Sequence, residues 1–464
     1  MLRRTITFCV LAALAAAYAM QLVETQANRS TSAVLYEGAQ LIAGDGSAPI
    51  ADSAFLVENG TFTKVGKKGD VSAPGGAGRV NLTGKTVIPT LIDAHVHPGF
   101  QRGLTYSADN FTRENIIDDL NRSLYFGVAA VQSQGIEKGD VARQIRADQE
   151  AGKVGGARLL IAGRGIGAPN AGPGNAAYAG IAYEVTTEDQ ARKAVQELAA
   201  QKVNVVKIWV DDRNGRAPRL APALSKAIID EGHSRGLTVN AHVFYYTDAW
   251  DLVNAGIDAL VHLVRDREMD DALVASIVQH DVYVMPNLSI ERNTYTELPH
   301  WLRQGDPLMK LLQESTSPAV IARMTKAYEN PDPAAVERTR TQYAILQRSV
   351  ARLAKANAKI TLGSDTGLED HLFGMAQQRE LESMVKAGMT PMQAIVASTS
   401  RPAEYLKLAK MGTLAAGKEA DFLVLEANPL EDITNTQRIS KIYMNGVEVD
   451  RASLRPSLTR VFTN

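Results

Sequence analysis

Residues 87–97 read VIPTLIDAHVH. An apolar, β-branched run ends on two histidines spaced i, i+2. Successive strand side chains point to opposite faces, so His95 and His97 would share one face and could grip one metal ion. Two unliganded histidines at a strand end would give the same spacing. Seven more short runs follow: VAAVQSQ from Val128, RLLIAG from Arg158, VNVVKIWV from Val203, LTVNAHV from Leu237, ALVHL from Ala259, VYVMPN from Val282 and KITLGSD from Lys359. Helical stretches lie between many of them, including Thr187 to Gln201, Ala221 to Arg235, Asp248 to Ala255 and Asp270 to Gln279. Strands alternating with helices imply parallel βαβ units. Eight such units across residues 87–408 predict an α/β fold of the TIM (β/α)8 barrel type, with an open doubly wound sheet as the alternative.

Outward from the barrel, both flanks change character. From Ala33 to Ile88 short apolar runs alternate with glycine turns, as in AVLYEGAQLIAG and AFLVENGTFTKVG, and Ser72 to Arg79 reads as a loop. After residue 409, ADFLVL and the stretch Ile439 to Val449 are strand-like, with Asn445-Gly446 as a hairpin turn. The two β-rich ends, 20–86 and 409–464, are expected to pair into one small β-sandwich domain. The segment from Leu288 to Lys355 is mostly helical and too long for one crossover, so it is expected over the barrel mouth.

The chain has 464 residues, 45% of them hydrophobic and 22% charged, with a formal net charge of −1. That suits one large and one small domain and carries no electrostatic footprint for nucleic acid. Arg3 and Arg4, then an apolar run from Ile6 to Ala19 ending in Ala17-Tyr18-Ala19, read as a signal peptide over 1–19, with an uncleaved membrane anchor as the alternative, for which the run is short. The expected location is therefore secreted or periplasmic, with no membrane partner after cleavage. The one cysteine, Cys9, falls inside that signal, so a mature chain would have neither disulfides nor thiolate ligands. A small-molecule substrate is the expected partner, and a homo-oligomer stays open.

Other chemistry-bearing residues sit near strand ends. Lys207 lies inside VNVVKIWV, where burial disfavours the cation. It could be a neutral amine open to modification or nucleophilic use, or a lysine that snorkels or pairs with Asp211. His242 ends TVNAHV, His262 lies in ALVHL and Asp365 follows KITLGS. Each has an ordinary structural role available. Together they come from the first, fourth, fifth, sixth and eighth strands, and a barrel builds its active site from the C-terminal ends of several strands. His233, His280, His300 and His371, the other four of eight histidines, lie in helix or loop contexts.

With these stretches in view, the chain resembles the amidohydrolase superfamily, and more narrowly its branch of imidazolonepropionase-like hydrolases with Xaa-Pro and Xaa-Arg dipeptidases. The resemblance rests on VIPTLIDAHVHPG (87–99), VVKIWVDD (205–212), NAHV (240–243), DALVHL (258–263) and TLGSDTG (361–367), and on AGMTPMQAIVASTSRPAEYLKL followed by MGTLAAGKEADFLVLEANPLEDI. It implies two divalent metal ions, zinc by default. His95, His97 and Asp365 would hold the more buried ion, His242 and His262 the more exposed one. Lys207 would bridge them as N6-carboxylysine. It also implies hydrolysis by a metal-bridging hydroxide, with Asp365 as the catalytic base and then acid.

The resemblance breaks in places. Pro89-Thr90 stands where many relatives have Pro-Gly. The dipeptidase relatives have a substrate-contacting histidine after the third strand, and here Gly163 to Asn170 contains none. Tyr245 or Tyr246 falls where those relatives use a tyrosine on the substrate carboxylate. Trp209, Arg213 and Arg164 are further substrate-binding candidates by position. The expected function is hydrolysis of an amide-type C–N bond, with carbamates, lactones, esters or phosphotriesters as the alternative on the same site. A non-catalytic periplasmic binding protein would predict a lost ligand, and all six are present.

Overall fold

A computed structural model describes residues 33–460, apart from 175, 293–305, 327, 328, 330, 331 and 369. The expected signal peptide at 1–19 with Cys9, the expected leader to 32 and part of the 288–355 segment, His300 included, lie outside the described residues. No helix among the described residues is long and apolar enough to cross a membrane.

Eight parallel strands form the centre, in chain order Leu91–Val96, Val128–Ser133, Arg158–Leu160, Val205–Val210, Thr238–Val243, Ala259–Val261, Tyr283–Met285 and Lys359–Ile360. Two joints close the ring. Between the third and fourth strands Asn204 N donates to Ile161 O at 2.7 Å, and Ile166 pairs with Ile208. Between the eighth and first, Ala94 N donates to Leu362 O (2.9 Å), Asp365 N to His95 O (2.9 Å) and His97 N to Thr366 O (2.7 Å). The last two bonds already set the backbones of His95, His97 and Asp365 side by side.

The helices between strands carry their own punctuation. Thr187 caps Glu188–Ala200 by accepting from Gln190 N, and Asp270 caps Asp271–Gln279 by accepting from Leu273 N. Gly256, with φ +90°, ends Tyr246–Ala255 in the left-handed conformation that glycine adopts freely. The buried faces of these helices join the strand side chains in one core.

The chain ends build two sheets. One contains Val34–Glu37, Ser53–Glu58, Thr61–Lys67 and Gly78–Asn81; the other contains Gln40–Leu41, Thr86–Pro89, Phe422–Leu425, Ile439–Met444 and Val447–Glu448. The core between them is aromatic. Tyr36 stacks on Phe55 with ring centroids 4.9 Å apart, Phe422 stacks on Tyr443 at 4.4 Å, and Tyr36 and Phe55 each meet Phe422 edge-on. Each such ring contributes about 1.5–3 kcal/mol when fully buried. The Asn445-Gly446 hairpin forms, with both residues at positive φ.

Four sequence expectations need correction. The run 87–97 is not one strand: Thr86–Pro89 pairs with Phe422–Leu425 in the small sheet, and the chain enters the barrel only after Thr90. Gly78 and Arg79 are not loop, because Gly78–Asn81 pairs parallel to Val34–Glu37. Nor is the helical segment after Leu288 a cover alone: Ile290 lines the cavity at the strand ends, as expected, but the longest described helix of the segment packs elsewhere. Pro333–Lys355 is the crossover helix before the eighth strand, with Ser349 Oγ accepting from Met269 N at 3.2 Å. Pro307–Ser315 and Pro318–Lys326 pack through Leu308, Leu312 and Met324 against Tyr125, Phe126 and Met375 on the barrel flank. Finally, the C-terminal stretch ends in a helix, Arg451–Leu458, capped by Asp450, and Leu458 joins the same flank cluster.

Candidate metal centre

The C-terminal ends of the barrel strands surround a cavity of about 220 Å³. His95, His97, Lys207, His242, His262 and Asp365 all line it, so the six residues expected to meet do meet. The strand period explains two pairs: His95 with His97, and Lys207 with Trp209, are both i, i+2. A backbone device explains the others. His262, Asn287 and Asp365, at the ends of the sixth, seventh and eighth strands, have φ of 59°, 52° and 55°. His, Asn and Asp are the non-glycine types that best tolerate this region. Three neighbouring strands thus end in the same left-handed turn.

The polar atoms converge closely. Asp365 Oδ1 lies 2.9 Å from His97 Nε2 and 3.2 Å from His95 Nε2, and those two nitrogens are 3.1 Å apart. His262 Nε2 is 3.7 Å from Asp365 Oδ2. Ligands about 2.0–2.1 Å from one tetrahedral ion would be separated by roughly 3.3 Å. His95, His262 and Asp365 form a buried His/His/Asp group whose ligand atoms lie within 4.8 Å of one another. Burial is the main cause that holds His95 and His262 well below the usual histidine range, and the positive charge that neighbouring basic side chains would carry adds to it. Neutral imidazole is the form that binds a metal.

Lys207 stands in the same space, 1% exposed, and its Nζ has no hydrogen-bond partner among the described residues. His97 Nδ1 and His262 Nδ1 are likewise without one. A buried polar group left so costs about 1–3 kcal/mol and asks for an explanation. Burial lowers the Lys207 amine to about 7, opposed by the Asp365 carboxylate and assisted by Arg213. The donor set of imidazoles, carboxylate and neutral amine, with unmet polar atoms beside it, fits a divalent metal site. Two glycines make room for it. A Cβ on Gly135 would come within 2.9 Å of the Lys207 side chain, and one on Gly165 within 2.2 Å of the Trp209 ring.

The surrounding residues hold this arrangement, and the sequence reading gave none of them that task. Asp93 accepts from His95 N at 2.9 Å, from Ser364 N and Oγ, and from Gln377 Nε2 at 2.8 Å, tying the first strand to the eighth. Asn287 Oδ1 accepts from His262 N at 3.0 Å while its amide nitrogen lies 2.9 Å from His95 Nδ1. His371, placed by the sequence only in a helix or loop context, is buried with Nε2 2.9 Å from Ser364 O. Asp211 Oδ2 lies 3.0 Å from His242 Nε2 and accepts from Arg213 Nη1 at 3.0 Å. Burial, Arg213 and Arg265 keep His242 neutral as well. DAHVH and VDDR contain two of these acids, but proximity, not spacing, assigns their partners.

The substrate-binding candidates divide. Trp209 and Arg213 line the cavity. Tyr245 and Tyr246 do not: Tyr245 OH donates to Asp212 at 2.8 Å and Tyr246 OH to Asp270 at 2.7 Å. Arg164 lies behind the wall, donating to Ile181 O at 2.5 Å and Ala182 O at 3.1 Å and stacking over Tyr183. Pro173, Tyr178, Arg265, Ile290 and Leu368, which the sequence did not single out, also line the cavity.

The model of the amidohydrolase family matches residues 86–449. An uncharacterised protein of Mycobacterium tuberculosis is 28% identical over 209 residues, covering 44% of this chain and 51% of that protein. The ochratoxinase of Aspergillus niger is 26% identical over 255 residues, covering 53% and 45% respectively. The chain thus spans about half the length of these curated relatives. Among solved structures, a putative prolidase from Bifidobacterium longum superposes with a TM-score of 0.72 at 24% identity, covering 92% of this chain and 98% of that one.

Proposed function

The chain belongs to the amidohydrolase family, and from that premise we propose that it is a metal-dependent hydrolase of an amide-type C–N bond, working at the cavity around Asp365. One observation carries this reading most: His95, His97 and Asp365 bring three ligand atoms within 3.2 Å of one another, with the unpartnered Lys207 amine beside them.

His95, His97 and Asp365 would hold one divalent ion and His242 and His262 a second, with zinc as the default metal. Lys207, as N6-carboxylysine, would supply an anionic oxygen to both. A neutral buried amine is the form that takes up CO2, and the modification would give the unpartnered nitrogen a role. When bound, such a pair of ions supplies hydroxide near neutral pH and polarises the scissile carbonyl. The protein's own part is positional and protolytic. Asp365 takes the proton released as the nucleophile adds, then delivers it to the departing amine nitrogen. Asp211 keeps the imidazole of His242 in one orientation, and Trp209 walls the cavity. The A. niger ochratoxinase and the B. longum prolidase by name support a peptide-like or N-acyl amide over a large polymer.

A basic start and apolar run at residues 3–19 support export from the cytoplasm, where such an enzyme would scavenge or detoxify. The test of function is a hydrolysis panel of N-acyl amino acids, dipeptides, aryl amides, carbamates and lactones with metal-reconstituted protein. Turnover concentrated among the amides supports the reading. Turnover of lactones or carbamates alone would transfer the site to the alternative chemistry.

A further inference from the structure

The helix Met375–Lys386 follows the eighth strand, and its Glu380 is fully buried. A buried carboxylate is costly unless it is bonded, and both oxygens of this one are. Oε1 accepts from Leu288 N at 2.8 Å and Oε2 from Ser289 N at 2.5 Å. Those two backbone groups open the short helix Leu288–Arg292, directly after Asn287 at the end of the seventh strand.

The first N–H groups of a helix have no partner inside it, and an Asn just before a helix ordinarily caps them with its own side chain. Asn287 does not. Its Oδ1 accepts from His262 N at 3.0 Å, and its amide nitrogen lies 2.9 Å from His95 Nδ1. The side chain in the capping place is thus committed to the metal centre, and the acceptor for its helix comes from another helix.

We infer that Glu380 is a positioning residue for the metal centre: by capping Leu288–Arg292 from outside, it leaves the Asn287 side chain to hold His262. Without that carboxylate, the local acceptor for the helix N–H groups is Asn287 Oδ1. Turning toward them would release the backbone of His262, one of the candidate ligands. The same cap fixes the turn that leads to Ile290 in the cavity wall. The inference rests on the metal-dependent reading above and adds a residue that does not line the cavity.

The test is Glu380→Gln, which keeps the shape and loses one of two acceptors, read by zinc titration against a chelating dye. At least one zinc constant should weaken by about tenfold or more. Asn287→Gly, which suits the φ of 52° at that position, should weaken the same constant. The double variant should lose no more than Asn287→Gly alone, because the two residues act in series. Gln378→Leu is the control. Gln378 is buried on the same helix and bonds away from the site, to Phe126 O and Thr436 Oγ1. It should lower Tm and leave zinc affinity within twofold. If Glu380→Gln does not fold, Glu380→Asp, which draws both oxygens back by one methylene, is read with the same expectation. Zinc constants within twofold of wild type in a folded Glu380 variant, losses that add in the double variant, or an equal zinc loss in the control overturn the inference and leave the hydrolase reading intact. Failure of both Glu380 variants to fold would assign the residue to stability and overturn its positioning role. A wild type that binds no zinc overturns both readings.

Discussion

Asp211 lies 3.0 Å from His242 Nε2, which leaves Nδ1 as the free lone pair of that imidazole. A carboxylate behind a histidine fixes its tautomer and raises its basicity, and such partners typically change metal affinity 10–100-fold. Asp211→Asn should therefore weaken binding of one ion by about 10–100-fold while leaving the other site nearly unchanged. Competition titration with a chelating dye reads both affinities. Two unaltered constants would remove Asp211 from the metal site.

In the proposed mechanism Asp365 combines a ligand oxygen with the proton-transfer role. Asp365→Asn keeps the shape and one oxygen but loses the base. Turnover should fall by about 10²–10⁴-fold or more, while most of the bound metal remains. Metal analysis beside steady-state kinetics separates the two effects. A variant with near-normal kcat would contradict the assignment.

Lys207 carries the carboxylysine proposal. Lys207→Ala should lower activity by about a thousandfold, since the bridging anion goes with the amine. Added acetate or propionate should restore part of it by filling the vacated space with a free carboxylate. In the wild type, ¹³C-labelled bicarbonate should yield a carbamate resonance that disappears in the variant. Full activity of the alanine variant without any added acid would contradict the bridge.

Glu137 offers a pH test away from the ligands. Its Oε1 accepts from Ala162 N at 3.0 Å, and burial raises its carboxyl to about 7. A folded-state acid raised this way holds its proton longer than the unfolded chain does. Native stability attributable to Glu137 is then complete below the unfolded value of 4.5 and declines as pH rises to about 7. Glu137→Gln removes that dependence. Denaturant midpoints should nearly coincide at pH 5 and favour the variant by about 1–3 kcal/mol at pH 8. A variant less stable at pH 8 would contradict it.

The sequence made the candidate ligands legible because strand periodicity and strand ends are local signals. His95 and His97 are two residues apart, and Lys207, His242 and Asp365 each close or interrupt an apolar run. The order of eight strands was readable for the same reason. The division at Thr90 was not, because Thr86–Pro89 is claimed by a strand more than 330 residues later, Phe422–Leu425. Asp211 and Asn287 were missed on similar grounds. Their partners come from other strands. Tyr245 and Tyr246 were misread because position after a strand does not say which acid a phenol will meet.

Metal dependence is the claim on which the rest depends, and one experiment measures it. The protein is stripped with chelator, its fold is checked by circular dichroism, and zinc is titrated back while hydrolysis of the best amide substrate is followed. The account predicts a folded, inactive apoprotein and activity rising to a plateau at two zinc ions per chain. Full activity in the metal-free protein would contradict it.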